Sequence, residues 1–314
     1  MYDVIIIGAG PAGLAAGIYC GRFKLKTKII ERQNFGGLIN LTEKIENYPG
    51  LYNVSSKVLI DTMVQQCKEL DTVDISEFEE VTSIAKNSDR FDISVKSLTN
   101  GQHLNYSSIS VIVASGSMPK KLNVRGEEHL IGKGVSYCAI CDAPFFKNKD
   151  VVVIGGGDSA LEEALYLSKF AANVYIVHRR MQLRASKILE DRVRSTTNIK
   201  LVLGFVCEEI KGNNKVSSVV ISQVDKNITK EIVCSGVFIF IGYQPSTDFL
   251  KGTIEMSKEG WIKTNEDLMT SLTGVFACGD CRQKGLRQII TACGEGATAA
   301  FNSFNYITSY RKEG

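Results

Sequence analysis

Val4-Ile5-Ile6-Ile7-Gly8-Ala9-Gly10-Pro11-Ala12-Gly13 stands almost at the start of the chain. The four branched aliphatic residues predict a buried parallel strand. An Ala-rich helix is expected from about Leu14 to Cys20, and a second β run, Lys28-Ile29-Ile30, ends at Glu31. A Gly-x-Gly-x-x-Gly turn between strand and helix, with a carboxylate at the end of the next strand, is the pattern that holds a dinucleotide. Gly8 makes the turn, Gly10 lets a pyrophosphate approach the backbone, and Gly13 lets helix and strand pack closely. Pro11 and Ala12 complete the turn, the helix N-terminus faces the phosphates, and Glu31 is positioned to accept hydrogen bonds from ribose hydroxyls.

The pattern recurs downstream. Val151-Val152-Val153-Ile154 reads as a strand, Gly155-Gly156-Gly157-Asp158-Ser159-Ala160 as a turn, Ala160 to Phe170 as a helix and Val174-Tyr175-Ile176-Val177 as the next strand. This is a repeated βαβ unit. His178 stands at the offset from Gly155 that Glu31 has from Gly8, and Arg179, Arg180 and Arg184 follow it. A carboxylate suits a bare ribose, whereas guanidinium groups suit a 2′-phosphate. The first turn is therefore expected to hold an adenine dinucleotide without that phosphate, such as FAD. The second is expected to prefer NADPH over NADH, through Gly155, Gly157, Asp158, Ser159, Ala160, His178, Arg179, Arg180 and Arg184.

A chain of 314 residues fits two domains at about 150 residues each. Hydrophobic residues make up 44% and charged residues 23%, as in a soluble globular protein. The net charge of +3 comes with no basic stripe that would suggest nucleic acid. Lys24, Lys26 and Lys28 are expected on a solvated face. No signal peptide or long apolar span is visible, so a cytoplasmic location without membrane contact is expected. The nine cysteines are scattered, unlike a secreted disulfide scaffold, and most should be buried thiols.

Cys138-Ala139-Ile140-Cys141 needs its own explanation. A CxxC pair in such a protein is either redox-active or metal-binding, and one thiol of such a pair is often acidic enough to be a nucleophile. Asp142 next to it suits a proton donor, or equally a surface turn or helix cap. Cys278-Gly279-Asp280-Cys281 is a second CxxC. It lies far from the first in sequence, so a four-cysteine zinc site is disfavoured and no metal is expected. Its thiols are expected to be passengers.

These segments together resemble the low-molecular-weight thioredoxin reductases over essentially the whole length. The matching segments are Gly8 to Gly13, Gly36-Gly37, Glu46-Asn47-Tyr48-Pro49-Gly50, Cys138 to Asp142, Gly155 to Ala160, His178-Arg179-Arg180 with Arg184, Gly279-Asp280 and Arg287-Gln288-Ile289. The resemblance implies two doubly wound α/β domains, with an NADPH domain (117–243) inserted into an FAD domain (1–116 and 244–314). By position, Gly36, Gly37, Leu38 and Asn47 would line the flavin. Gly279 and Asp280 would meet the ribityl chain, and Arg287, Gln288 and Ile289 would sit beside the isoalloxazine. The family transfers electrons from NADPH through FAD to the dithiol, here Cys138 and Cys141 with Asp142 as acid/base. A swivel of the small domain serves the two half-reactions, thioredoxin is the acceptor, and the enzyme is a homodimer.

Leu38, Ile140 and Ala143 depart from the common residues of that family, which leaves the protein partner open. The rivals are a flavin reductase fed by ferredoxin, an NADPH reductase of another small redox protein, and a redox-inert nucleotide- or zinc-binding protein. The intact second turn and its arginines favour a nicotinamide donor.

Overall fold

In a computed structural model, the chain forms two compact units, Met1–Met118 with Gln244–Gly314, and Pro119–Tyr243. The structure describes residues 1–313 apart from Thr42, Glu43, Glu46, Asp225 and Asn227, and apart from the side chains of Leu41, Lys44, Cys141 and Glu313. Glu46 and the Cys141 side chain, both singled out in the sequence, thus lie outside what is described. The chain leaves the first unit and returns to it through Ser117–Pro119 and Tyr243–Pro245, which pair with each other.

The first unit is built on a mixed sheet. Strands Val73–Ser76, Thr27–Ile30, Tyr2–Ile7 and His103–Val113 run parallel in that order. The far edge of His103–Val113 is shared by Val275–Ala277, parallel, and by the antiparallel pair Arg90–Ser97 and Glu79–Asn87. Side chains alternate across a strand. Val4 and Ile6 therefore join an apolar cluster with the Pro11–Arg22, Ser56–Lys68 and Ile289–Glu313 helices. Ile5 and Ile7 join a second cluster with Phe91, Ile93 and Val275. Both faces of the central strand are buried, which is why its sequence is uniformly apolar.

Lys28 corrects the expectation of a solvated lysine face. Lys24 and Lys26 are exposed, but Lys28 is buried at 5% exposure. Its ammonium lies 2.9 Å from Asp74 on the neighbouring strand and over the Tyr106 ring. An amphipathic stem flanked by a carboxylate and an aromatic face lets the charge sit there.

The second unit has an all-parallel sheet in the order Val135–Ser136, Gly236–Phe240, Asp150–Gly155, Asn173–His178, Ile199–Leu203. A three-stranded antiparallel sheet, Phe205–Lys211, Ser218–Gln223 and Thr229–Val233, packs on one face. The Asp158–Leu167 and Lys187–Ser195 helices cover the other. Val151 and Val153 face the helices, and Val152 and Ile154 face the small sheet. The repeated strand–glycine–helix pattern thus becomes two doubly wound α/β layers. Among the described residues, no helix is long and apolar enough to cross a membrane.

Candidate active site

The first glycine turn joins Tyr2–Ile7 to the Pro11–Arg22 helix. Its three glycines do different work. A side chain at Gly8, where φ is +104°, would place its Cβ 2.4 Å from the Ala114 carbonyl oxygen, and one at Gly13 would lie 1.8 Å from the Gly8 carbonyl oxygen. Gly10 meets nothing closer than the Gly36 carbonyl oxygen at 3.9 Å. It is the helix N-cap and offers no side-chain cap, so the first helical N–H groups are left for a ligand. Pro11 at the first helical position has no N–H to leave unpaired.

Other expected residues converge on this turn. Gly36 donates its N–H to the Ala9 carbonyl at 2.9 Å. A Cβ at Gly37 would sit 3.5 Å from the Gly10 Cα, and one at Gly279 would sit 2.7 Å from the Ala12 Cβ. Glu31, just past Thr27–Ile30, accepts the Ala9 N–H at 2.7 Å and the Gln33 N–H at 2.8 Å. The carboxylate therefore also ties down the turn, a role the sequence pattern alone did not contain. Leu38 is half-buried in the 3-10 turn Gly37–Leu41.

A second group of polar side chains surrounds Asp280. Its Oδ1 is buried without a hydrogen bond, and Lys284 approaches only to 3.5 Å as an ion pair. Burial pushes the Asp280 carboxyl up, and Lys284 pulls it part of the way back. Glu295 accepts the Gly279 N–H at 2.7 Å and pairs with Arg282 at 2.9 Å and Lys284 at 3.3 Å. Arg287 stacks on Trp261 with its guanidinium carbon 3.9 Å from the ring centre, and its buried Nε has no hydrogen bond. Asn47 donates to Gln288 at 2.9 Å, immediately before Ile289 starts the last long helix. Buried acceptors and donors without partners are costly. A hydroxyl-bearing chain such as the ribityl of FAD, with acceptors for Arg287, fits these groups. Sequence reading missed Lys284, Glu295 and Trp261, whose partners are distant or unmotivated by any motif.

The second turn repeats the geometry. A Cβ at Gly155 would lie 2.4 Å from the Phe240 carbonyl oxygen, whereas Gly157 has nothing within 4 Å. Gly157 is the uncapped N-cap of the Asp158–Leu167 helix. Asp158 accepts the Ser186 N–H at 2.6 Å, Ser159 is exposed, and Ala160 is buried in the core. His178 is 9% exposed and lies under the turn, where a Cβ at Gly156 would meet its Nδ1 at 2.4 Å. Burial, then Arg180, Arg179 and Arg184, push its pKa down, so the ring is neutral near pH 7. Its position differs from that of Arg179 and Arg180, which are exposed. Arg184 is held to the turn by its N–H on the Gly156 carbonyl at 2.7 Å. None of these three guanidiniums is paired with a carboxylate among the described residues. An uncapped turn bordered by three such groups fits a dinucleotide carrying an extra phosphate.

Cys138 is disulfide-bonded, while seven other cysteines are free thiols. Ser136 Oγ accepts the Cys138 N–H at 3.0 Å and donates to the Cys138 carbonyl at 3.1 Å. The chain then enters the short helix Ala139–Asp142, where Asp142 is half-buried. Glu163, on the Asp158–Leu167 helix, accepts the Ala139 N–H, and burial followed by Glu162 pushes its carboxyl up to about 7. Its sequence signal is a charge on the buried stripe Ala160, Ala164, Leu167. Cys278 and Cys281 are fully buried. Burial lifts Cys281 to about 11 and Cys278 well above an ordinary thiol, so both are protonated and poor nucleophiles near neutrality.

The pyridine nucleotide-disulphide oxidoreductase family matches residues 2–296. The chain belongs to that family. Thioredoxin reductase from Peptoclostridium acidaminophilum is 41% identical over 100% of this chain and 99% of its own length. The thioredoxin reductase of Treponema pallidum is 42% identical over 98% and 97%. Among solved structures, Lactococcus lactis thioredoxin reductase superposes with a TM-score of 0.92 at 39% identity, covering 98% of this chain and 100% of that one. Within the family, the chain is therefore similar to thioredoxin reductases from end to end.

Proposed function

We propose that the protein is an NADPH-dependent thioredoxin-disulfide reductase with FAD in the unit containing Gly8–Gly13 and NADPH at the Gly155–Ala160 turn. The observation that carries this reading is the Cys138 disulfide in the same unit as an open, uncapped glycine turn with three unpaired arginines. Cys141 is the partner sulfur in this proposal. The full-length relatives named thioredoxin reductase support a thioredoxin-like acceptor.

When bound, FAD supplies the two-electron chemistry that side chains lack. The chain's own residues do the rest. Gly10, Glu31, Asp280 and Arg287 hold the flavin nucleotide, and Arg179, Arg180 and Arg184 select the 2′-phosphate. Reduction breaks the Cys138 disulfide. One of the released thiolates attacks the acceptor's disulfide and forms a mixed disulfide; its neighbour then attacks the enzyme sulfur of that bond, which re-forms the Cys138 disulfide and releases the acceptor as a dithiol. Asp142 is the acid/base that serves the leaving sulfur in this proposal. A cytoplasmic homodimer is part of the same proposal, and the seven free thiols suit a reducing compartment.

The test is an anaerobic spectrum of the purified protein. NADPH is expected to bleach the flavin band rapidly and NADH much more slowly. A yellow protein that dithionite bleaches and NADPH does not would transfer the donor role to ferredoxin or a similar carrier. Cys138→Ser and Cys141→Ser are each expected to keep the flavin and to lose thioredoxin turnover by at least about a thousandfold, the scale of removing a nucleophile. Wild-type turnover in either variant would remove the dithiol from the reaction.

A further inference from the structure

Three hydrogen bonds hold the backbone at Cys138, and only two of them come from Ser136 on the preceding strand. Ser136 holds both its N–H and its carbonyl. The third grip is Glu163, which accepts the N–H of the very next peptide, Ala139, from another helix. The second carboxyl oxygen of Glu163, Oε2, is buried with no hydrogen-bond partner among the described residues. Ala160, Leu161, Ala164 and Leu167 of its own helix form one apolar cluster with Ala139 of the short helix. A carboxyl with one spare oxygen in an apolar wall is costly to keep ionised and has no structural task for that oxygen. No step proposed above uses it.

We propose that Glu163 is a positioning residue that sets the redox poise of the Cys138 disulfide, fixing its peptide and taking up a proton as the disulfide is reduced. This rests on the reading of Cys138 and Cys141 as the redox pair. The step balances as follows. Two electrons from the pyridine nucleotide enter, the S–S bond breaks, and one sulfur takes a proton while the other is released as thiolate. A second proton enters on the Glu163 carboxylate, because a negative charge forming close by disfavours the ionised carboxyl.

The carboxyl sits at about 7 in the disulfide form, raised first by burial and then by Glu162, with the Ala139 N–H pulling it down. Glu162 is the charged neighbour that acts on it. Above pH 7 the ionised carboxylate opposes thiolate formation and favours the disulfide. Below pH 7 it is neutral, and that bias disappears.

The experiment equilibrates the holoenzyme with graded mixtures of reduced and oxidised dithiothreitol, then counts free Cys138 and Cys141 by alkylation and mass spectrometry. Glu163→Gln is isosteric and keeps an acceptor for Ala139. At pH 8 it is expected to shift the equilibrium about tenfold toward the dithiol, a change of about 30 mV. At pH 6 variant and wild type should agree. Equal equilibria at both pH values, or the same shift at both, would overturn the role given to Glu163. If the wild-type Cys138 disulfide resists reduction at every ratio, the redox-pair reading itself falls, and the two failures are told apart by the wild-type curve alone.

Discussion

The two glycine turns share a backbone and differ in what stands at the end of the following strand. After the first, Glu31 accepts the backbone N–H groups of Gln33 and of Ala9, the residue before Gly10. After the second, His178 folds under Gly156, the exposed Arg179, Arg180 and Arg184 act on it electrostatically, and the Arg184 N–H is bonded to the Gly156 carbonyl. The same scaffold thus presents an anionic rim in one unit and a cationic rim in the other. Rim charge rather than turn geometry distinguishes a ribose hydroxyl from a ribose phosphate. In the proposed reading the turn itself serves the part common to both dinucleotides, the pyrophosphate.

Removing the cationic rim is the strongest test of that contrast. Arg179→Ala with Arg180→Ala deletes charge-assisted hydrogen bonds of about 1.5–3 kcal/mol each. The KM for NADPH is expected to rise by about a hundredfold or more, with little change for NADH and none in flavin content. Steady-state kinetics with both nucleotides decide it. Undiminished NADPH preference would assign the phosphate to other residues and leave the contrast between rims without function.

The glycines offer a second, smaller test, because each turn has positions closed by the protein and one position left open. Gly13→Ala drives a methyl into the Gly8 carbonyl and is expected to destabilise the first unit by about 1–3 kcal/mol or more, as overpacking does. Gly157→Ala meets nothing within 4 Å. It should leave the melting temperature in place while weakening NADPH binding, since the methyl occupies the space the pyrophosphate approaches. Thermal melts and nucleotide titration separate the two. A stable Gly13→Ala protein, or a Gly157→Ala protein that binds NADPH normally, would break the division between packing and ligand glycines.

That division marks what the sequence can and cannot carry. The strand–turn–helix units are legible because their causes are local. Aliphatic runs such as Val4–Ile7 and Val151–Ile154, glycines at fixed offsets, and the residue ending the next strand all lie within a few dozen positions. Gly13 is closed locally by Gly8, but Gly8 and Gly155 are closed by Ala114 and Phe240, contributed from far along the chain. The same holds for Lys28, whose partner Asp74 is on another strand. It holds for the Asn47–Gln288 hydrogen bond and for the Glu295 contacts that brace Gly279. An acidic pair such as Glu162 and Glu163 on a helix ordinarily faces water, and only the packed structure shows that one of the two turns inward.

Glu31→Gln gives the smallest effect and the finest resolution, because it alters the anionic rim by charge while conserving shape. The carboxylate now satisfies Ala9 and Gln33 with separate oxygens. An amide can satisfy only one of them, since its nitrogen would confront an N–H donor. The loss of one charge-assisted bond to the turn, together with a weaker acceptor for the ribose, is expected to lower FAD affinity about fivefold to tenfold, near 1–1.4 kcal/mol. NADPH affinity, set in the other unit, should not change. Flavin release on dilution, followed by fluorescence, measures the first, and titration of the holoenzyme the second. If flavin affinity holds while the melting temperature falls, Glu31 is a tether of the turn and nothing more, and the anionic rim ceases to be a recognition element. If flavin affinity falls at constant melting temperature, the carboxylate reads the ribose directly, and the opposition between Glu31 and the arginines is the chemical basis of two cofactors on one repeated fold.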